Sequence, residues 1–192
     1  MAEIRNKFWL EAAQTALLVV DVQDKLIGAM DQQLYQQLLQ NVPLLIEGFK
    51  TLGLPMIATE QYSKGLGHTI AELHSATEQC CIEKLTFSCC GDEGFVSALR
   101  KTNARQIVVV GMETHVCVLQ TVIDLLDQGY GVHLVRDAVS SRFASDYANA
   151  LELAAAAGAV ITTTETVLFQ LIKVAGSDDF RAISRLVRQR TK

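Results

Sequence analysis

The sequence predicts an α/β protein, a six-stranded parallel sheet wound on both faces by helices into three layers, α/β/α. Three observations predict it. Apolar runs of strand length alternate with segments of helical period, the pattern of a doubly wound sheet rather than a sandwich or bundle. Two of those runs, Ala16 to Val22 and Gln106 to Val110, are too uniformly apolar for half-exposed strands and suit the buried centre of a parallel sheet. A length of 192 residues, 49% hydrophobic, suits a single domain spanning 1–192 with a sizeable core.

Strand one is the run Ala16-Leu17-Leu18-Val19-Val20-Asp21-Val22. After it Leu34, Leu38, Val42, Leu45, Ile46, Phe49 and Leu52 recur at helical spacing and line one helix face, with Pro43 as an interruption. Gly53 closes that helix, Pro55 to Thr59 forms strand two, and a long polar loop with Gly65 and Gly67 follows. Loops of that size commonly serve a site. A short third strand lies around Cys81 to Lys84, before a helix near Glu93 to Lys101 and strand four at Gln106 to Val110. The next helix, about His115 to Gln128, turns Val116, Leu119, Val122, Ile123 and Leu126 inward. Strand five is Val132 to Val135, the alanine-rich stretch Tyr147 to Ala157 is a helix, Ala159 to Thr163 is strand six, and a last helix runs from about Asp178 to Arg190.

Composition narrows the function classes. The net charge is −4, and basic residues are scattered until Arg181, Arg185, Arg188 and Arg190, so no patch is predicted to neutralise a row of phosphates. Nucleic acid is therefore not an expected partner. No run reaches the roughly 18 apolar residues of a membrane span, and the first residues carry no signal-peptide pattern, so a cytoplasmic protein is expected. The five cysteines, Cys80, Cys81, Cys89, Cys90 and Cys117, include two adjacent pairs, poor geometry for a disulfide framework, and read as reduced thiols. Neither pair has the spacing of a structural zinc site.

In open α/β sheets ligands bind beyond the carboxyl ends of the strands, where the strand order reverses. Asp21 closes strand one, Lys84 closes strand three, and Gly111-Met112-Glu113-Thr114-His115-Val116-Cys117 joins strand four to its helix. With strands one and four adjacent at the reversal, an acid, a base and a thiol share one crevice. Cys117 falls in the first turn of a helix, where the dipole and free N–H groups favour a thiolate and offer an oxyanion site. A carboxylate beside it can take its proton, and a lysine would keep that carboxylate ionised. Each residue also has an ordinary structural reading: packed thiol, turn residue, surface charge.

The stretches LLVVDVQDKL, TEQYSKGLGHTIAEL, EKLTFSCC and VVVGMETHVCVLQT resemble, in order and spacing, the isochorismatase-like cysteine hydrolases, especially the isochorismatase domain-containing proteins. The resemblance runs from about Ala16 to Phe169 and rests on D-x-Q, the late lysine and G-x-x-T-x-x-C. It implies a six-stranded parallel sheet, an Asp21-Lys84-Cys117 triad, a homo-oligomer, and a cis peptide at Glu113-Thr114 that aims the Thr114 N–H, with that of Cys117, at an oxyanion. Because the cysteine is present, the resemblance points to the amidase-like branch: a small-molecule amide or ureide is cut at its C–N bond through a thioester. Relatives with a metal site carry an aspartate and paired histidines after strand two; here Thr59 to Gly65 has no such pair, so neither metal nor cofactor is expected, and His68 reads as a loop residue.

Other residues keep two readings. Gln23, one strand period from Asp21, either orients that carboxylate or touches substrate, or only caps strand one. Phe87 either walls the pocket or packs in the core. Glu113 and His115 flank the elbow, Asp137 suits a turn anchor for Ser140 and Ser141, and Cys89 and Cys90 suit small packing positions. A phosphatase of the aspartyl type needs a second carboxylate where Gln23 stands, and a nucleotide site needs a glycine-rich turn that Val22 to Lys25 lacks. A redox-active thiol and an idle metabolite-binding or partner-binding scaffold remain as alternatives.

Overall fold

The structure is a computed structural model that describes residues 2–190. Helix α1 (Ala2–Phe8) leads into β1 (Thr15–Val20), followed by the short α2 (Asp24–Ile27) and the long α3 (Gln32–Thr51). Strand β2 (Met56–Gln61) is followed by α4 (Ser63–Leu66), α5 (Ala71–Thr77), β3 (Cys81–Lys84) and α6 (Glu93–Lys101). Strand β4 (Gln106–Met112) enters a π-helical turn, Thr114–Val118, that continues as α7 (Leu119–Asp127). Strand β5 (Gly131–Ser140), α8 (Ala144–Ala157), β6 (Val160–Thr162), α9 (Thr164–Ile172) and α10 (Asp178–Val187) complete the order.

The six strands form one sheet in the order β3-β2-β1-β4-β5-β6, every pair parallel. The order reverses between β1 and β4, the switch point at whose carboxyl ends a doubly wound sheet places its ligand site. All six residues of β1 and all seven of β4 are buried, as strands covered on both faces must be. Alternate side chains divide the core. Leu17, Val19, Val108 and Val110 pack with α3, α9 and α10 on one face; Leu18, Val20, Ile107 and Val109 pack with α6, α7 and α8 on the other. This is the three-layer arrangement.

Several details differ from the sequence reading. The stretch after β2 is not an open loop but two short helices, α4 and α5, and β5 is longer than predicted, reaching Ser140. Helix α9 appears where no element was assigned. On α7 the buried face is Thr121, Val122 and Leu125, continuing Val118 of the turn, whereas Ile123 is exposed. The π turn inserts an extra residue before α7 and rotates its face relative to a helix counted from His115. Gly111 lies where β4 approaches β1: its φ is +117°, and a Cβ there would sit 2.0 Å from the Val20 carbonyl oxygen. Only glycine allows this approach.

Candidate functional site

Asp21 is the first residue beyond β1 and has φ +48°, a left-handed conformation that aspartate tolerates better than most side chains. The chain turns off the sheet here and leaves the carboxylate fully buried. Its Oδ2 accepts from Lys84 Nζ at 2.7 Å and its Oδ1 from Thr59 Oγ1 at 2.7 Å, while its backbone N–H donates to the Thr59 carbonyl at 3.1 Å. Lys84 ends β3 on the far side of β2, and its side chain reaches back across the strand ends. Nζ also donates to Gln61 Oε1 at 2.8 Å and to the carbonyls of Thr86 and Phe87, each at 3.1 Å. A buried ammonium needs this many acceptors to offset its lost hydration.

Cys117 sits in the π-helical turn, 7% exposed, near enough to Asp21 and Lys84 for both charges to act on its thiol. The structure therefore brings Asp21, Lys84 and Cys117 together at the carboxyl ends of the strands. The thiolate expectation is corrected. Burial first, and the Asp21 charge second, push the Cys117 thiol well above the ordinary range; the Lys84 charge opposes them and is outweighed. The resting nucleophile candidate is an S–H with a carboxylate beside it.

The loop before Cys117 is sewn to the end of β5 residue by residue. Glu113 Oε2 accepts from Arg142 N at 3.2 Å and Nε at 3.0 Å; Thr114 Oγ1 donates to the Ser140 carbonyl at 3.0 Å; His115 Nδ1 lies 3.1 Å from Ser141 Oγ. The Glu113 carbonyl accepts from the N–H groups of Val116 and Val118 at 3.1 and 3.2 Å. The cis peptide is Met112-Glu113, one bond before the Glu113-Thr114 bond expected from the resemblance.

Gln23 does not reach Asp21. Its Nε2 donates to the carbonyls of Gln61 and Gly67 at 3.0 and 2.6 Å, and its Oε1 accepts from Gln61 N at 2.7 Å, so it ties the end of β1 to the segment after β2. Phe87 is not a core residue: its ring is exposed, and its carbonyl accepts from Lys84 Nζ. Asp137 is not the anchor of Ser140 and Ser141; its Oδ1 accepts from Thr164 N and Oγ1 at the start of α9, and its Oδ2 from Arg190. His68 Nδ1 lies 3.1 Å from Glu60 Oε2, while Glu60 Oε1 accepts from Thr69 N and Oγ1. Cys89 is fully buried, as a packing residue would be, and also lies behind Asp21, its Sγ 3.8 Å from Thr59 Oγ1; Cys90 is only partly buried.

Sequence reasoning missed Thr59 and Gln61. They alternate on β2 and face the same side as the carboxylate and ammonium they hold. A period-two count beyond the end of strand two would have found them.

Comparison with known proteins agrees with this fold. The isochorismatase domain profile matches residues 15–166. A secreted isochorismatase effector, Isc1, of Phytophthora sojae is 37% identical over 93% of this chain and 86% of its own length. The Xenopus laevis isochorismatase domain-containing protein 2 is 33% identical over 98% of this chain and 91% of its own. Among solved structures, one described as MAR1 ribonuclease from Caenorhabditis elegans superposes with a TM-score of 0.88 at 34% identity, covering 96% of this chain and 95% of that one. The YcaC gene product of Escherichia coli, described as an octameric hydrolase of unknown specificity, gives 0.87 at 24% identity, covering 95% and 90%. The doubly wound, three-layer sheet is thus the fold of isochorismatase-like hydrolases. The chain belongs to the isochorismatase domain family.

Proposed function

We propose that this chain is a cysteine hydrolase that cuts the C–N bond of a small amide or ureide, with Cys117 as nucleophile, Asp21 as acid-base and Lys84 as the buried ion-pair partner of Asp21. The observation that carries the reading is a buried carboxylate bonded to the Lys84 ammonium at 2.7 Å, with the buried Cys117 thiol within reach of both charges. Because the thiol rests protonated, Asp21 takes its proton as Sγ attacks the carbonyl carbon, so sulfur becomes nucleophilic only as substrate arrives. The N–H groups of Thr114 and Cys117 receive the oxyanion. Asp21 then gives the proton to the departing amine and a thioester forms. Water, deprotonated by Asp21, releases the carboxylic acid and restores the thiol.

Redox-sensing thiols are acidic and solvent-accessible, and Cys117 is neither, which favours hydrolysis over the redox alternative. Isochorismatase chemistry itself breaks a C–O bond, and a cysteine placed on its base is what moves the reading toward C–N cleavage. The ribonuclease in the name of the C. elegans protein would ask for a cationic track for phosphates; net charge is −4, and Lys84 is committed to Asp21. Among the described residues no group of three or more His, Cys, Asp or Glu side chains is placed to hold a metal. No helix among the described residues is long and apolar enough to cross a membrane. All five cysteines are free, which supports a reducing, cytoplasmic setting, and the octamer described for YcaC supports a homo-oligomer.

The test is intact-mass analysis and ammonia release after exposure to panels of amides, ureides, vinyl ethers and peroxide. An acyl adduct on Cys117 with ammonia release supports the proposal. Cleavage of vinyl ethers alone, or sulfenic acid without any acyl adduct, overturns it. Chelation is expected to leave turnover unchanged, and a loss restored by Zn²⁺ contradicts the metal-independent mechanism.

A further inference from the structure

Behind the base lies a hydrogen-bond pair to which the reaction steps above give no part. Thr59 and Cys89 are both fully buried, Thr59 Oγ1 is 2.7 Å from Asp21 Oδ1, and Cys89 Sγ is 3.8 Å from the same hydroxyl oxygen. The backbone N–H of Cys89 donates to Thr121 Oγ1 at 2.9 Å, which fixes the thiol against α7. A hydroxyl both donates and accepts, and a carboxylate changes from acceptor to donor when it takes a proton. Lys84 already occupies Oδ2 as a permanent donor, so Oδ1 is the oxygen free to change roles.

We propose that Thr59 and Cys89 form a reversing hydrogen-bond pair that lets Asp21 gain and lose its proton without stranding a buried polar group. With Asp21 ionised, Thr59 donates to Oδ1 and accepts from the Cys89 S–H. With the Cys117 proton on Oδ1, that O–H donates to Thr59, whose hydroxyl turns and donates to Cys89 Sγ. No proton passes through Thr59; only the hydroxyl and thiol hydrogens rotate. Burial pushes the Cys89 thiol up to about 12, so it stays a neutral group able to play either part. Thr59 and Cys89 are positioning residues, since neither touches the reacting atoms. The inference rests on the assignment of Asp21 as the base of Cys117.

The opposed roles predict opposed effects. Without the Thr59 hydroxyl the ionised carboxylate loses a donor; without Cys89 the hydroxyl keeps Asp21 as its one acceptor and the ionised form is favoured. The experiment follows alkylation of Cys117 by iodoacetamide across pH, read by peptide mass, and needs no substrate. Thr59→Val is expected to move the acid limb of the rate profile to higher pH by about one unit. Cys89→Ala is expected to move it to lower pH, and Thr59→Ser to return it to the wild-type position. Unmoved limbs, or limbs moved the same way by Thr59→Val and Cys89→Ala, overturn the pair. Asp21→Asn separates the two levels: loss of the acid limb with Asp21→Asn supports the base assignment, and an unchanged limb removes that assignment and the pair with it.

Discussion

Lys84 shows how much of the site is held by one buried charge. Its side chain is fully buried against Asp21, and removal of one partner of a buried ion pair strands the other charge. Lys84→Met is therefore expected to lower unfolding free energy by about 3–5 kcal/mol in urea titration, with loss of turnover. A change below about 1 kcal/mol would mean that the pair is solvated. Asp21 was legible in the sequence because it follows an apolar strand, where a charge stands out, and Lys84 and Cys117 because they fall on motifs that resemble the family's. Thr59 and Gln61 were not, because a threonine and a glutamine at a strand end have many ordinary uses. Their meaning depends on β2 lying between β1 and β3, which spacing along the chain does not reveal. Phe87 misled for a related reason: hydrophobicity predicts burial on average, and here the backbone carbonyl matters instead.

Among the elements, the β1–β4 seam is the most exacting. Gly111→Ala would place a methyl against the Val20 backbone at a φ of +117°, and neither strand end can give way without moving Asp21. The expected outcome is loss of several kcal/mol of stability or no folded protein, read by thermal unfolding. Wild-type stability in that variant would contradict the close approach. A milder case is the start of α3, where the Asp31 carboxylate accepts from Gln33 N and Leu34 N. Asp31→Ala is expected to cost about 1 kcal/mol in the same measurement and leave the site intact. The order and type of the central strands were legible because buried parallel strands are continuous apolar runs. The start of α7 was not, because a π turn shifts the helical face by one residue and moves Ile123 from the predicted inner side to solvent.

At the scale of the whole molecule, acid sensitivity traces to a group far along the sequence from the crevice residues. His133 lies in β5, 1% exposed, and neither ring nitrogen makes a hydrogen bond among the described residues. Burial lowers it from 6.5 to about 4. Below about 6.5 the unfolded chain binds a proton that the folded chain refuses until about pH 4, so this contribution to stability is complete above pH 6.5 and is lost on acidification through that window. It amounts to about 3 kcal/mol at the acid end. His133→Leu is expected to flatten the dependence of unfolding free energy on pH between 7 and 4.5, measured by denaturant titration. Equal slopes in the variant and wild type would contradict the buried neutral histidine.

The most direct measurement is turnover of an amide or ureide that the wild-type protein hydrolyses, compared with Cys117→Ala and Asp21→Asn, with folding of each variant checked by circular dichroism. The predicted result is ammonia released by the wild type and none by either variant, both variants folded. Full activity in folded Cys117→Ala would contradict the nucleophile, and full activity in folded Asp21→Asn would contradict the base.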